Sequence, residues 1–139
     1  MTGTVGSDRV GQPYRILVVD DEPDIRKLNY EVLSDSGYLV DAVEDGAEAW
    51  EALHTNNYDL LITDNDMPRM TGVELLEKLY SDRKFLPVIM ATGTLPPDEL
   101  NHQPWFAVVT TLLKPYTLAE LVNTARNALR PPFRHAAIL

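Results

Sequence analysis

ILVVDDEPDIR, residues 16–26, carries the pattern that decides the fold. Four aliphatic residues, Ile16–Val19, stop at the paired acids Asp20 and Asp21. Beyond Pro23, Ile25, Leu28, Val32 and Leu33 recur at helical spacing, and Gly37 stands where a helix ends in the left-handed conformation. A run so short and so uniformly apolar reads as a strand buried on both faces, the habit of parallel sheets. The pattern repeats along the chain. Arg15–Val19, Tyr38–Val43, Tyr58–Thr63, Leu86–Ala91 and Phe106–Leu113 read as strands. Gly46–Thr55 and Gly72–Ser81 read as helices, the second with Val73, Leu76 and Tyr80 on one side. In the last helix Leu118, Leu121, Val122, Ala125 and Leu129 form an apolar stripe, with Thr117 as its N-cap and Pro131-Pro132 as its stop. The fourth helix is pinched, because Pro96 and Pro97 can only open it and Pro104 must close it, which leaves a turn or two. Strict alternation predicts an α/β, doubly wound fold with a parallel sheet, right-handed crossovers and helices on both faces. Ligands of such sheets sit at the carboxyl ends of the strands, where the strand order reverses.

At 139 residues and 45% hydrophobic content the chain fits one domain, expected over residues 14–130, with residues 1–13 as a flexible segment and residues 131–139 as a flexible tail or a truncated linker. There is no cysteine, so disulfides, thiolate zinc sites and thiol nucleophiles are excluded. No apolar run approaches the ~18 residues of a membrane span, and a soluble cytoplasmic location is expected. The net charge is −9, with 18 of the 21 acids in residues 1–85, a field that repels phosphate backbones and argues against direct nucleic-acid binding. Asp41, Glu44, Asp45, Glu48 and Glu51 read as a solvated acidic face.

The strand ends bring together Asp20 and Asp21, Asp64, Thr92 and Lys114. Singly, each has an ordinary explanation: helix capping for the acid pair, a turn for Asp64, a hydroxyl before Gly93, a surface lysine before Pro115. Together, at one edge of the sheet, they suit phosphoryl transfer. Consecutive acids closing an apolar strand are costly without a counter-charge, and Mg²⁺ suits two or three carboxylates, a carbonyl and retained waters. A carboxylate such as Asp64 can attack a phosphoryl group when cations neutralise the transferring oxygens. The Thr92 hydroxyl and the Lys114 ammonium would supply a donor and a fixed positive charge. Lys114-Pro115 invites a cis peptide.

ILVVDDEPDIR (16–26), DLLITDNDMPRMTG (59–72), PVIMATG (87–93) and LLKPY (112–116) resemble, in order and spacing, the receiver domain of bacterial two-component response regulators. The resemblance implies a five-unit flavodoxin-like fold of strand order 2-1-3-4-5. It implies Asp64 as phospho-acceptor, Asp20 and Asp21 as the acidic pair that helps to hold Mg²⁺, and Asp66 as donor of a backbone carbonyl to the metal. Thr92 would be the switch hydroxyl and Lys114 the phosphate-pairing lysine. The phosphoryl donor would be a histidine kinase or a histidine phosphotransfer protein, and the only reactions catalysed would be the domain's own phosphorylation and dephosphorylation. A homodimer would use the face of the fourth helix, fifth strand and fifth helix.

Two departures stand out. Receivers usually carry an aromatic residue three positions before the lysine, and here that position is Thr111. Asn101–Phe106 (NHQPWF) replaces a small Gly-Ala segment, so the output face is expected to be atypical, with Trp105 or Phe106 as substitutes. Asp66 lies near the water that attacks an acyl phosphate and would either orient or repel it, unless it is a plain loop residue. The rival reading is an Asp-nucleophile phosphohydrolase using Asp64-Asn65-Asp66, but in that family the Asp-x-Asp strand comes first and the chain leaves no room for a cap. A receiver-like module that no longer takes phosphate would usually have lost one of these side chains, and a nucleotide site would need a glycine-rich loop after strand one.

Overall fold

The computed structural model describes residues 12–94 and 98–130. In chain order the elements are β1 (Arg15–Val19), α1 (Pro23–Asp35), β2 (Leu39–Val43), α2 (Gly46–Thr55), β3 (Leu60–Asp64), α3 (Gly72–Ser81), β4 (Val88–Thr92), β5 (Val109–Leu113) and α4 (Leu118–Leu129). All strands pair in parallel in the order β2-β1-β3-β4-β5, as expected.

Two-residue periodicity splits the core between the faces of the sheet. Ile16, Val18, Leu60, Ile62 and Ile89 meet Leu33 of α1 and Leu121, Ala125 and Leu129 of α4. Leu17, Val19, Leu61, Val88 and Met90 meet Ala49 and Leu53 of α2 and Leu75, Leu76 and Leu79 of α3. The helices start where the sequence provides caps. Thr71 and Thr117 each form a reciprocal capping box, with Glu74 and Glu120. Asp45 caps α2 by accepting from the Glu48 amide at 2.8 Å. Gly37, at φ +100°, turns the chain out of α1.

Several expectations need correction. Only β1, β3 and β4 are buried nearly throughout; β2 and β5 are edge strands with outward sides in solvent. β3 and β4 run one residue further than expected, so Asp64 and Thr92 are the last residues of their strands. Among the described residues the fourth crossover forms two 3₁₀ turns, Asp98–His102 and Pro104–Val108, rather than an α-helix, in keeping with the turn or two expected there. The second absorbs Phe106–Val108, which had read as strand: Pro104 has no amide for a ladder, and the Phe106 amide donates to the Gln103 carbonyl at 3.0 Å. Trp105, 5% exposed, is inserted into the core there. On α3 the buried side is Leu75, Leu76 and Leu79, while Tyr80 turns out to stack edge-on with Phe85 at 5.4 Å. Leu28 and Leu118 of the expected stripes are exposed, and polar Asn29 is buried instead. The acidic face is partly tied down: Asp41 binds Arg15 at 2.9 Å and the Tyr58 hydroxyl at 2.6 Å. Pro96, Pro97, Pro131, Pro132 and residues 1–11 lie outside the described residues.

Candidate functional site

The β1–β3 reversal opens a crevice at the carboxyl edge of the sheet, and the backbone there fixes each side chain. The Asp20 amide donates to the Val43 carbonyl (3.1 Å), the Asn65 amide to the Ala91 carbonyl (2.9 Å) and the Lys114 amide to the Thr92 carbonyl (2.8 Å). These bonds lace the loop starts together. Lys114-Pro115 is cis, as expected.

Asp20, Asp21 and Asp64 each present a carboxylate oxygen within 4.8 Å of the others. Asp20 and Asp64 are buried, and Asp21 is half-buried. Burial pushes the Asp20 carboxyl up to about 6; its hydrogen bond from the Glu22 amide (3.0 Å) works the other way, and the neighbouring Asp64 charge adds to the rise. Arg26 donates to the Asp20 carbonyl at 2.9 Å and holds the loop from α1.

Asp64, 3% exposed, is gripped on one oxygen. Its Oδ1 lies 2.7 Å from Lys114 Nζ and accepts the Asp66 amide at 3.0 Å. Burial opposes charge on Lys114, but hydrogen bonding and attraction to Asp64, with Asp66 and Asp20 behind it, outweigh that, and its pKa stands above the ordinary lysine value. Thr92 is buried at the end of β4, one residue beyond Ala91, the register partner of Asp64. Its hydroxyl accepts the Thr94 amide at a long 3.4 Å. The Asp66 carboxylate, which the sequence left open, reaches Gly93 and Lys114.

The structure thus gathers Asp20, Asp21, Asp64, Asp66, Thr92 and Lys114 at one edge. It does not bring Thr111, Trp105 or Phe106 there: Thr111 is half-buried beside Met90, and the two aromatics precede the opposite end of β5. Sequence reasoning missed two supports. Asn65 Oδ1 accepts the Val73 amide at 3.0 Å, clamping the loop after Asp64 onto the start of α3. A Cβ on Gly72 would stand 3.0 Å from the Asp64 carbonyl oxygen and 3.0 Å from Asn65 Cα, so only glycine fits without moving that loop. The signal was present, since Gly72 follows the capping threonine directly. Beside the site an open groove of about 620 Å³ is lined by Ile25, Leu28, Asn29, Tyr116 and Leu118, with Asp20 and Lys114 at its edge. Asn29 donates to the Tyr116 hydroxyl at 2.8 Å and ties α1 to the loop before α4.

Residues 16–126 match the family model of the response regulator receiver domain. The chain belongs to the response regulator receiver family. This receiver is 37% identical to the chemotaxis protein CheY of Pseudomonas aeruginosa over 106 residues, which is 74% of this chain and 86% of that protein. It superposes on the chemotaxis response regulator CheY4 of Vibrio cholerae with a TM-score of 0.76 at 31% identity, covering 85% of this chain and all of the other. Against the Thermotoga maritima response regulator TrrA, whose structure is a complex with Mg²⁺-BeF, the TM-score is 0.70 at 32% identity, over 84% of this chain and 99% of TrrA. The receiver spans about half the length of several other response regulators that it matches. Receivers work in two-component signalling, where they interact with histidine kinases or phosphotransfer proteins. Among the described residues no helix is long and apolar enough to cross a membrane.

Proposed function

We propose that this receiver accepts a phosphoryl group on Asp64 from a phosphohistidine of a histidine kinase or histidine phosphotransfer protein. The observation that carries this reading is the buried Asp64 carboxylate, held at 2.7 Å by the Lys114 ammonium and flanked by two further carboxylates. Lys114 occupies Oδ1, which leaves Oδ2 as the attacking atom. The Oδ2–P bond forms as the bond from phosphorus to the donor nitrogen breaks, and the nitrogen keeps the electron pair. The Lys114 ammonium and the Asp66 amide already converge on the acceptor and would hold oxygens of the arriving group. The Thr92 hydroxyl, engaged among the described residues only by a long bond, would turn and donate to one more.

Three carboxylates within 4.8 Å, one of them with a pKa raised in part by the others, form an all-oxygen donor set that fits Mg²⁺. Asp20, Asp21, Asp64 and the Asp66 backbone carbonyl would hold it. Bound there, the cation would neutralise charge on the transferring oxygens.

The domain is read as residues 14–130, cytoplasmic, with no turnover beyond its own phosphorylation and dephosphorylation, and able to dimerise through the face of the fourth crossover, β5 and α4. Its output face is atypical. Thr111 has no ring to rotate, and Trp105 is fixed in the core, so acceptance of phosphate is retained while its usual readout is altered. A phosphate mimic that shifted amide signals over residues 94–117 as broadly as in ordinary receivers would contradict this.

Incubation with Mg²⁺ and acetyl phosphate, followed by intact-mass measurement, tests the central reading. Wild type should gain one phosphate and Asp64→Asn none. An adduct that persists in the variant, or sustained turnover of a generic phosphate ester, would overturn it.

A further inference from the structure

Asp66 does more at this edge than lend its backbone. Its side chain folds back over the site. Oδ2 accepts the Gly93 amide at 3.4 Å and lies 3.7 Å from Lys114 Nζ, while the Asp66 amide donates to Asp64 Oδ1 at 3.0 Å. Lys114 is therefore shared by two carboxylates, Asp64 at 2.7 Å and Asp66 at 3.7 Å. Three loops meet through this one group: its own after β3, the Gly93 turn after β4, and the Lys114 end of β5.

An anion built onto Asp64 needs donors on its outer oxygens, and the nearest are the Lys114 ammonium and the amides at the ends of β3 and β4. Two of these already face a negative oxygen, that of Asp66. The side chain is 56% exposed, so rotation to water is open to it. On the reading that Asp64 takes a phosphoryl group, we propose that the Asp66 carboxylate is a resting placeholder for a phosphoryl oxygen. It engages Gly93 and Lys114 in the unphosphorylated receiver and must leave both before a phosphoryl group can seat. Asp66 makes and breaks no covalent bond and moves no proton in the transfer. It acts by competing for two donors and by repelling an incoming dianion, and so slows loading.

The geometry sets the expected size. A unit charge about 4 Å from a dianion corresponds in bulk water to at most roughly a thirtyfold effect on rate, and ionic screening at this exposed edge brings the expected effect to roughly five- to tenfold. Because the group is exposed, salt screens that part of the effect.

The test uses the full chain with Mg²⁺ and acetyl phosphate, comparing wild type, Asp66→Asn and Asp66→Ala at low and high ionic strength by intact mass. Asp64 Oδ2 attacks phosphorus, the bond from phosphorus to the acetate oxygen breaks, and acetate leaves with the electron pair. Both variants should load roughly five- to tenfold faster at low salt, and the advantage should shrink at high salt. Asn keeps the size of Asp and one acceptor oxygen but not its charge, so a gain in Asn separates charge from shape. Independently of loading, Mg²⁺ with beryllofluoride should bind both variants more tightly by a similar factor, and the Gly93 amide signal should move in Asp66→Ala before any anion is added. Wild type that loads as fast as both variants at low salt, or a gain indifferent to salt, would sink the placeholder and leave Asp64 as acceptor. Wild type that does not load Asp64 would sink the functional reading and the placeholder with it.

Discussion

Asp20→Asn should make the metal-free receiver more stable at neutral pH while weakening its hold on a divalent cation. The folded protein pushes the Asp20 carboxyl from 3.8 up to about 6, chiefly by burial. At about 1.4 kcal/mol per tenfold, that displacement corresponds to about 3 kcal/mol of destabilisation once the group is ionised. The carboxylate borders an open groove, and solvent screening brings the expected figure to about 1–2 kcal/mol. The sign follows from proton binding. Between pH 3.8 and about 6 the native state holds more protons at Asp20 than the unfolded chain does. Its favourable contribution is therefore complete below 3.8 and is lost as the pH rises through 6. Asparagine retains the oxygen that accepts the Glu22 amide at 3.0 Å, so the loop keeps its bond. Urea denaturation in chelator should show the variant ahead by about 1–2 kcal/mol at pH 7.5 and level with wild type near pH 4. Added Mg²⁺ should stabilise wild type more than the variant, because only a ligand that binds the native state raises its stability. A variant no more stable than wild type at pH 7.5 in chelator would refute the claim that this carboxylate is held at a cost.

Gly72→Ala places a methyl carbon 3.0 Å from the backbone at Asp64 and Asn65, so a loss of about 1–3 kcal/mol in urea and slower loading of Asp64 should appear together. Trp105→Ala should cost about 3–5 kcal/mol by the same assay, since the indole is buried against α3 and β4. The His54 ring joins α2 to the end of α3: its two nitrogens lie 2.7 Å from the Trp50 carbonyl oxygen and 2.6 Å from Asp82, both acceptors, and these bonds raise its pKa above 6.5. Its stabilising effect is complete below 6.5 and fades as the pH rises through the elevated value, so an NMR titration should place the His54 midpoint above 6.5, and Asp82→Asn should lower it. Thr117→Ala removes the reciprocal cap of α4 and should cost about 1 kcal/mol in thermal or urea unfolding.

What the sequence made legible was periodic or terminal. The aliphatic runs located β1, β3 and β4 because both faces of those strands are covered, and Asp20, Asp64 and Thr92 were readable because each stands at the end of such a run, while Lys114 stood out between Leu112-Leu113 and Pro115. The errors fall where local pattern and tertiary surroundings disagree. Phe106–Val108 is apolar enough for a strand, yet Pro104 and the insertion of Trp105 curl it into a 3₁₀ turn. Leu28 fits the stripe of α1 but faces the groove, while Asn29, polar by type, is buried because Tyr116, far along the chain, offers its hydroxyl. Asn65 and Gly72 matter through contacts between loop and helix start, which no periodicity encodes. The reach of the Asp66 side chain was equally hidden, since it depends on where Gly93 and Lys114 end up.

The 3₁₀ turns of the fourth crossover also bear on how the domain can be modified. A helix at that place would be a structural layer, and altering it would disturb the sheet along its whole length. Here Trp105 is the main anchor that the second turn sets into the core, at the end of β5 remote from Asp64. The segment from Gln103 to Val108 can thus be regarded as a replaceable cassette. Its outward residues can be exchanged to suit a different recipient of the signal, provided Pro104, the indole and the half-buried Phe106 ring stay, and the chemistry at the far edge of the sheet need not be rebuilt.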